Sequence, residues 1–152
     1  MSKAILLINL GTPDSPDKKS VRSYLRQFLN DPFVIDMPRI ARLLLVNLII
    51  IPFRLNKSTK LYKRLWTESG SPILLHLEKL RERLQHESGE KYPVYVAMRY
   101  GNPSIQSVLS TIDQSGVEEV LVLPLFPQYA SSTTGSIVHA VQKHKKKLQN
   151  IR

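Results

Sequence analysis

Cysteine is absent from these 152 residues. The absence excludes disulfides, thiolate metal ligands and iron–sulfur ligation by this chain, and it is compatible with an intracellular protein. Aromatic residues are scarce, at 7% with a single tryptophan. Acids are few: 12 Asp and Glu face 22 Lys and Arg, giving a formal net charge of +10. A surplus of that size invites an anionic partner such as nucleic acid or a membrane surface. Much of it is local, however, because Lys143, Lys145, Lys146 and Lys147 crowd the end of the last helical pattern, where cations also suit the helix dipole. No aromatic interleaving or nucleic-acid motif accompanies them, so nucleic acid is not an expected partner. The phosphate-cradling fingerprints G-x-G-x-x-G and G-x-x-x-x-G-K are both missing. The four histidines, His76, His86, His139 and His144, form no His-x-x-x-His or Glu-x-x-His pattern, which argues against a metal site. No run of apolar residues is long enough to span a bilayer, since Leu43 to Phe53 is interrupted by Asn47 and Pro52. No signal-peptide pattern follows Met1-Ser2-Lys3. Contact with a membrane surface stays open.

What is present describes one globular domain, 42% hydrophobic and 22% charged. Ala4 to Leu10 reads as a buried strand ending in Asn9 to Pro16, with Gly11 for a tight turn or a close backbone approach. Ser15 and Pro16 suit a helix cap and first-turn proline. Val21, Tyr24, Leu25, Phe28 and Leu29 then recur at helical spacing until Asp31-Pro32 breaks the pattern. Arg39 to about Ile51 predicts a helix with almost no polar face, flanked by Arg39, Arg42 and Arg54. Such a helix is either deeply buried or exposes an apolar patch. Lys57 to Trp66 and Leu74 to Leu84 predict two more helices. Val94 to Met98 predicts a second strand, leaving through Arg99-Tyr100. Ser104 caps a helix over Ile105 to Gln114.

Val120 to Leu123 reads as a third strand buried on both faces. Pro124 and Pro127 stop it, and a polar loop carrying Gln128, Tyr129, Ser131, Ser132, Thr133, Thr134 and Ser136 follows. A last helix covers Ser136 to Leu148, and Asn150 to Arg152 looks like the start of a fourth strand. Strands alternating with helices predict an α/β fold, a Rossmann-like parallel sheet flanked by helices. The three strand exits then share one sheet edge, where open α/β sheets place ligands. The bland alternative is an ordinary strand, turn and helix cap.

Five blocks together resemble ferrochelatase: N-L-G-T-P-D-S-P from Asn9, V-R-S-Y-L-R-Q-F-L-N-D-P-F-V-I-D-M-P-R from Val21, W-T-E-S-G-S-P-I-L from Trp66, A-M-R-Y-G-N-P-S-I from Ala97 and L-P-L-F-P-Q-Y-A-S-S-T-T-G-S from Leu123. The resemblance covers Ile5 to Ser136 in the family's order. It implies a chelatase (a lyase of haem biosynthesis) that inserts ferrous iron into protoporphyrin IX or a related porphyrin. It implies that residues 1–152 are the first of two similar Rossmann-like halves with a porphyrin cleft between them. By the same resemblance Leu10 faces the macrocycle, Arg54 and Tyr62 lie on a helical lip touching porphyrin and propionates, and Ser71 makes a further contact. Arg99 and Tyr100 stand on the cleft wall, and Tyr129, Ser131, Ser132 and Thr133 form a loop beneath the site. Phe126 stands where the family often has tyrosine. The proton-accepting histidine and its glutamate belong to a block in the second half that no histidine of this chain matches. The chain alone is therefore expected to be inactive, with no catalytic residue and no resident metal, and to need the missing C-terminal half as partner. No permanently bound cofactor and no iron–sulfur cluster are implied, with iron and porphyrin as substrates. The expected location is cytoplasmic, with the inner face of the membrane as an optional contact. Three alternatives remain: a non-catalytic porphyrin or haem binder, a cobalt or nickel chelatase relative, and a basic module for anionic surfaces.

Overall fold

A computed structural model describes residues 2–151. Its elements run β1 (Lys3–Gly11), α1 (Lys18–Leu29), α2 (Arg39–Leu44), a π-helical turn (Leu45–Ile50), α3 (Ile51–Leu65), α4 (Pro72–Ser88), β2 (Val94–Tyr100), α5 (Ile105–Gln114), β3 (Glu119–Pro124), a second π turn (Ser131–Gly135) and α6 (Ser136–Lys145). The three strands are parallel in the order β2-β1-β3, with Ile5 opposite Val94 and Leu121, as the alternating pattern predicts.

Period-2 alternation sorts each strand's side chains onto two faces. Ala4, Leu6 and Ile8 of β1 and Ala97 of β2 join Ile105, Leu109 and Ile112 of α5 and Ile137 of α6 on one face. Leu7 of β1 and Val94, Val96 and Met98 of β2 take Leu77 of α4 on the other. A third cluster lies at the exit end, where Val21, Tyr24 and Leu25 of α1, Ile51 and Leu55 of α3 and Tyr100 pack together. The fold is thus a helix-flanked Rossmann-like sheet whose strand-exit edge carries an extra helical layer.

Several local expectations change. The α1 cap is Asp17, two residues beyond Ser15, because one carboxylate accepts from both the Lys19 and Ser20 amides, at 2.6 and 3.0 Å. Ser15 instead donates to that carboxylate. Pro52 does not separate two helices. The π turn widens the backbone just before it, and helical structure continues from Arg39 to Leu65. On that run Val46 and Ile51 are buried while Ile40, Leu44, Leu48, Ile49 and Phe53 are exposed, so the apolar helix presents a patch instead of filling a core. Arg42 does not flank the patch. It is buried, and its guanidinium donates to the Asn30, Met37 and Ile35 carbonyls, holding the α1–α2 loop.

The third strand is not buried on both faces. Leu121 is 57% and Leu123 37% exposed, because β3 is an edge strand and α4 packs against β1 and β2. The serine–threonine run is not an open loop either. The Thr133 and Gly135 amides donate to the Ala130 carbonyl at 3.2 and 3.1 Å, winding the run into the π turn that feeds α6. No fourth strand starts among the described residues. The amides of Gln149, Asn150 and Ile151 are captured by the Asp113 carboxylate at 2.8–3.1 Å. Arg152 lies outside the described residues.

Candidate functional site

The sheet edge where all three strands end is held by an unusually close backbone approach. Gly11, with φ +122°, lies opposite Tyr100 in the register. A Cβ on Gly11 would sit 1.8 Å from the Tyr100 carbonyl oxygen, so only glycine fits. Gly101 repeats this against the Thr12 carbonyl at 2.4 Å. The glycine that the sequence marks for a turn or a ligand therefore serves strand-to-strand contact. Just beyond it, the buried hydroxyls of Thr12 and Ser71 meet at 2.8 Å and tie the β1 exit to the start of α4.

Beneath this edge lies a buried polar cluster. Asp31, 5% exposed, pairs with the Arg99 guanidinium. Its Oδ2 also accepts from the Tyr100 hydroxyl at 2.7 Å and the Ser136 hydroxyl at 2.6 Å, and Oδ1 from the Phe33 amide at 2.8 Å. Arg99 Nε donates to Ser136 Oγ at 2.6 Å. Burial alone would raise the Asp31 carboxyl, but bonds from Ser136, Tyr100 and Phe33 and the charge of Arg99 outweigh it and hold the group below its usual range. Burial pushes the Tyr100 phenol well above its ordinary value. At neutral pH the cluster is therefore one carboxylate, one guanidinium and neutral hydroxyls, with no group poised to take a proton.

An aromatic ladder runs from this cluster to α3. Tyr100 meets Phe28 edge-on at 5.3 Å, Phe28 stacks on Tyr24 at 6.1 Å, and Tyr24 meets Tyr62 of α3 edge-on at 6.0 Å. Two hollows open along the edge. One, of about 390 Å3, is lined by Thr12, Pro13, Trp66, Ser71, Leu74 and Pro103 among others. The other, of about 350 Å3, lies between Asp31, Arg99 and α6.

The ferrochelatase family profile matches residues 2–152. The chain belongs to the ferrochelatase family. It is 49% identical over 138 residues to the ferrochelatase of Coxiella burnetii (strain RSA 493 / Nine Mile phase I), covering 91% of this chain and 39% of that protein. It is 48% identical over 141 residues to that of Alcanivorax borkumensis, covering 90% and 41%. Against that of Herminiimonas arsenicoxydans it is 44% identical over 151 residues, covering 97% and 41%. The chain thus spans about two fifths of the length of these curated relatives.

The porphyrin contacts that the ferrochelatase resemblance implies are placed unevenly. Leu10, Tyr62 and Tyr100 share the exit-end cluster. Tyr100 is 1% exposed with its hydroxyl spent on Asp31, and Arg99 stands beside it in the same ion pair. Ser71 lines the first hollow, about the Thr12 hydroxyl. Arg54 is exposed on α3. Phe126 packs against the α5–α6 core. Tyr129 is 75% exposed, on the chain leading to the second π turn. Two residues at the heart of the site escape the sequence reading. Asp31 looks like a helix breaker before Pro32, and Thr12 like part of a turn. The available signal was charge balance: an arginine at a strand exit in an α/β core needs a buried acid.

Proposed function

We propose that this chain supplies one wall and the lip of a porphyrin slot in a ferrochelatase, the enzyme that inserts ferrous iron into protoporphyrin IX. One observation carries the reading: in a chain of this family, the helical run from Arg39 to Leu65 exposes Ile40, Leu44, Leu48, Ile49 and Phe53 while its other side packs with Leu10 and Tyr100 at the strand exits. A porphyrin is a flat apolar disc with two carboxylates on one rim. It needs a greasy surface beside cations, and exposed Arg54 stands next to Phe53 at the end of that patch. Leu10, Arg54, Tyr62, Ser71, Arg99, Tyr100, Phe126 and Tyr129 are the proposed contacts, the buried Tyr100 acting through the position it gives Arg99.

In the reaction, ferrous iron replaces two pyrrole N–H protons, which leave as two H+. Some group must accept them. Asp31 is held ionised by its donors and is occupied by Arg99, so it is a poor candidate. The proton acceptor is proposed to lie in polypeptide beyond these 152 residues, as are the remaining walls of the cleft. No helix among the described residues is long and apolar enough to cross a membrane. The exposed lip with its arginines suits peripheral contact with an anionic surface on the cytoplasmic side. Titration with protoporphyrin tests the reading. A saturable shift of the Soret band, weakened several-fold by Arg54→Ala at unchanged stability, is expected. Absence of any shift at tens of micromolar chain refutes it.

A further inference from the structure

The basic surplus around α6 is not used by the porphyrin reading, and part of it faces a hollow. The hollow of about 350 Å3 is lined by Gln27 of α1, Asn30, Asp31 and Pro32 just after it, Arg99 of β2, and His139, Ala140, Lys143 and His144 of α6. Its size lies at the low end of ordinary small-ligand sites, which run from about 300 to 1,000 Å3. Of the proposed porphyrin contacts it shares Arg99, whereas Leu10, Arg54, Tyr62, Ser71, Tyr100, Phe126 and Tyr129 do not line it.

The donors there have a definite character. The negative charge of Asp31 is consumed by Arg99, so Lys143 sets the sign of the field. Arg99 spends Nε on Ser136 and one Nη2 hydrogen on Asp31, which leaves the remaining donors on Nη1 and Nη2 for a ligand. Gln27 uses its oxygen on the Gly101 amide, which leaves its NH2 as a donor. The His139 ring is packed against Phe33 at 5.2 Å and so is held in position. Donors thus come from three elements, β2, α1 and α6. A planar carboxylate is satisfied by a fork from one side. An anion with several oxygens pointing in different directions is needed to use donors from all three. We infer that this notch between the α1–α2 loop and α6 binds a phosphate-class polyanion, a diphosphate or a phosphate monoester.

The titration of His144 is consistent with a positive notch. Burial lowers its pKa, and the charges of Lys147, Lys143 and Arg99 lower it further. The charged and titratable groups around it are Asp31, Arg99, His139, Lys143 and Lys147. A bound polyanion offsets the three cations, draws a proton onto His144 and binds more tightly as pH falls through the histidine range.

The test is isothermal titration of the full 152-residue chain with sodium pyrophosphate at low ionic strength, at pH 6 and pH 8. A second arm uses vesicles bearing phosphatidic acid, which presents the same monoester on a membrane. The double variant Lys143→Gln/His144→Gln should weaken binding at least tenfold. The control Lys145→Gln/Lys146→Gln removes two neighbouring charges that do not line the notch and should stay within twofold. Binding in solution assigns a free ligand, and binding only to vesicles assigns a lipid headgroup. No binding in either arm overturns the proposal. So does equal weakening by both double variants, which is what diffuse attraction to a +10 chain produces. Protoporphyrin titration of Lys143→Gln/His144→Gln should be unchanged, so this idea and the porphyrin reading fail independently.

Discussion

Replacing Asp31 by alanine tests the polar cluster on which the sheet edge rests. The substitution removes a carboxylate that accepts from Ser136, Tyr100 and the Phe33 amide and pairs with Arg99. Breaking a fully buried ion pair by deleting one partner costs about 3–5 kcal/mol, because the other charge is stranded. The Arg99 side chain is 20% exposed, so water recovers part of that, while three further donors lose their acceptor. A loss of about 3 kcal/mol is the reasoned figure. With a urea m-value of about 2 kcal/mol/M, the unfolding midpoint should fall by about 1.5 M. Asp31→Asn keeps an acceptor and the shape but loses the charge, so it should fall by roughly half as much. Acid titration adds a sign. The carboxyl is depressed in the folded state, so its contribution is complete above the unfolded value of about 3.9 and is lost as pH falls through the lower folded value. The wild-type chain should therefore lose stability below about pH 4 by an increment that Asp31→Asn lacks. A midpoint shift under about 0.3 M for Asp31→Ala would refute the claim that the cluster anchors the edge.

Gly11→Ala should abolish folding, seen as loss of dispersed amide resonances, since its Cβ would meet the Tyr100 carbonyl at 1.8 Å. Gly116→Ala, at φ +76° in open space, should cost only about 1–2 kcal/mol in a thermal melt. Ile40→Ser/Phe53→Ser removes two side chains that are 75% and 82% exposed, so it should leave the melting temperature within about 2 °C while reducing adsorption to anionic vesicles more than tenfold. Asp113→Ala frees the amides of Gln149, Asn150 and Ile151 and should speed their hydrogen exchange at least tenfold, with the α5 amides unchanged.

Much of this architecture was legible because period and punctuation are local. Apolar runs bounded by glycine and proline gave all three strands, and parallel order followed from the alternation with helices. What stayed hidden depends on neighbours distant in sequence. Val120 to Leu123 looks buried on both faces, yet Leu121 is exposed because no helix among the described residues covers that side of an edge strand. Arg42 looks like a surface cation until the α1–α2 loop is seen folding its carbonyls around it. Pro52 looks like a helix end, and only the widened turn before it explains why the helix continues. In the site, the strand-exit residues Leu10, Arg99 and Tyr100 stand within the blocks resembling ferrochelatase. The role of Asp31 could not be read there, since it lies 68 residues from Arg99 and 105 from Ser136.

The claim on which the account turns is that this chain carries a porphyrin-binding wall without its own proton acceptor. Its most direct test is one cuvette holding the purified chain, protoporphyrin IX and ferrous iron under argon, followed in the Soret region. The account predicts a saturable porphyrin band shift with no conversion to the haem spectrum above the protein-free rate. Steady haem formation by the chain alone, or a porphyrin spectrum indifferent to the protein, would contradict it.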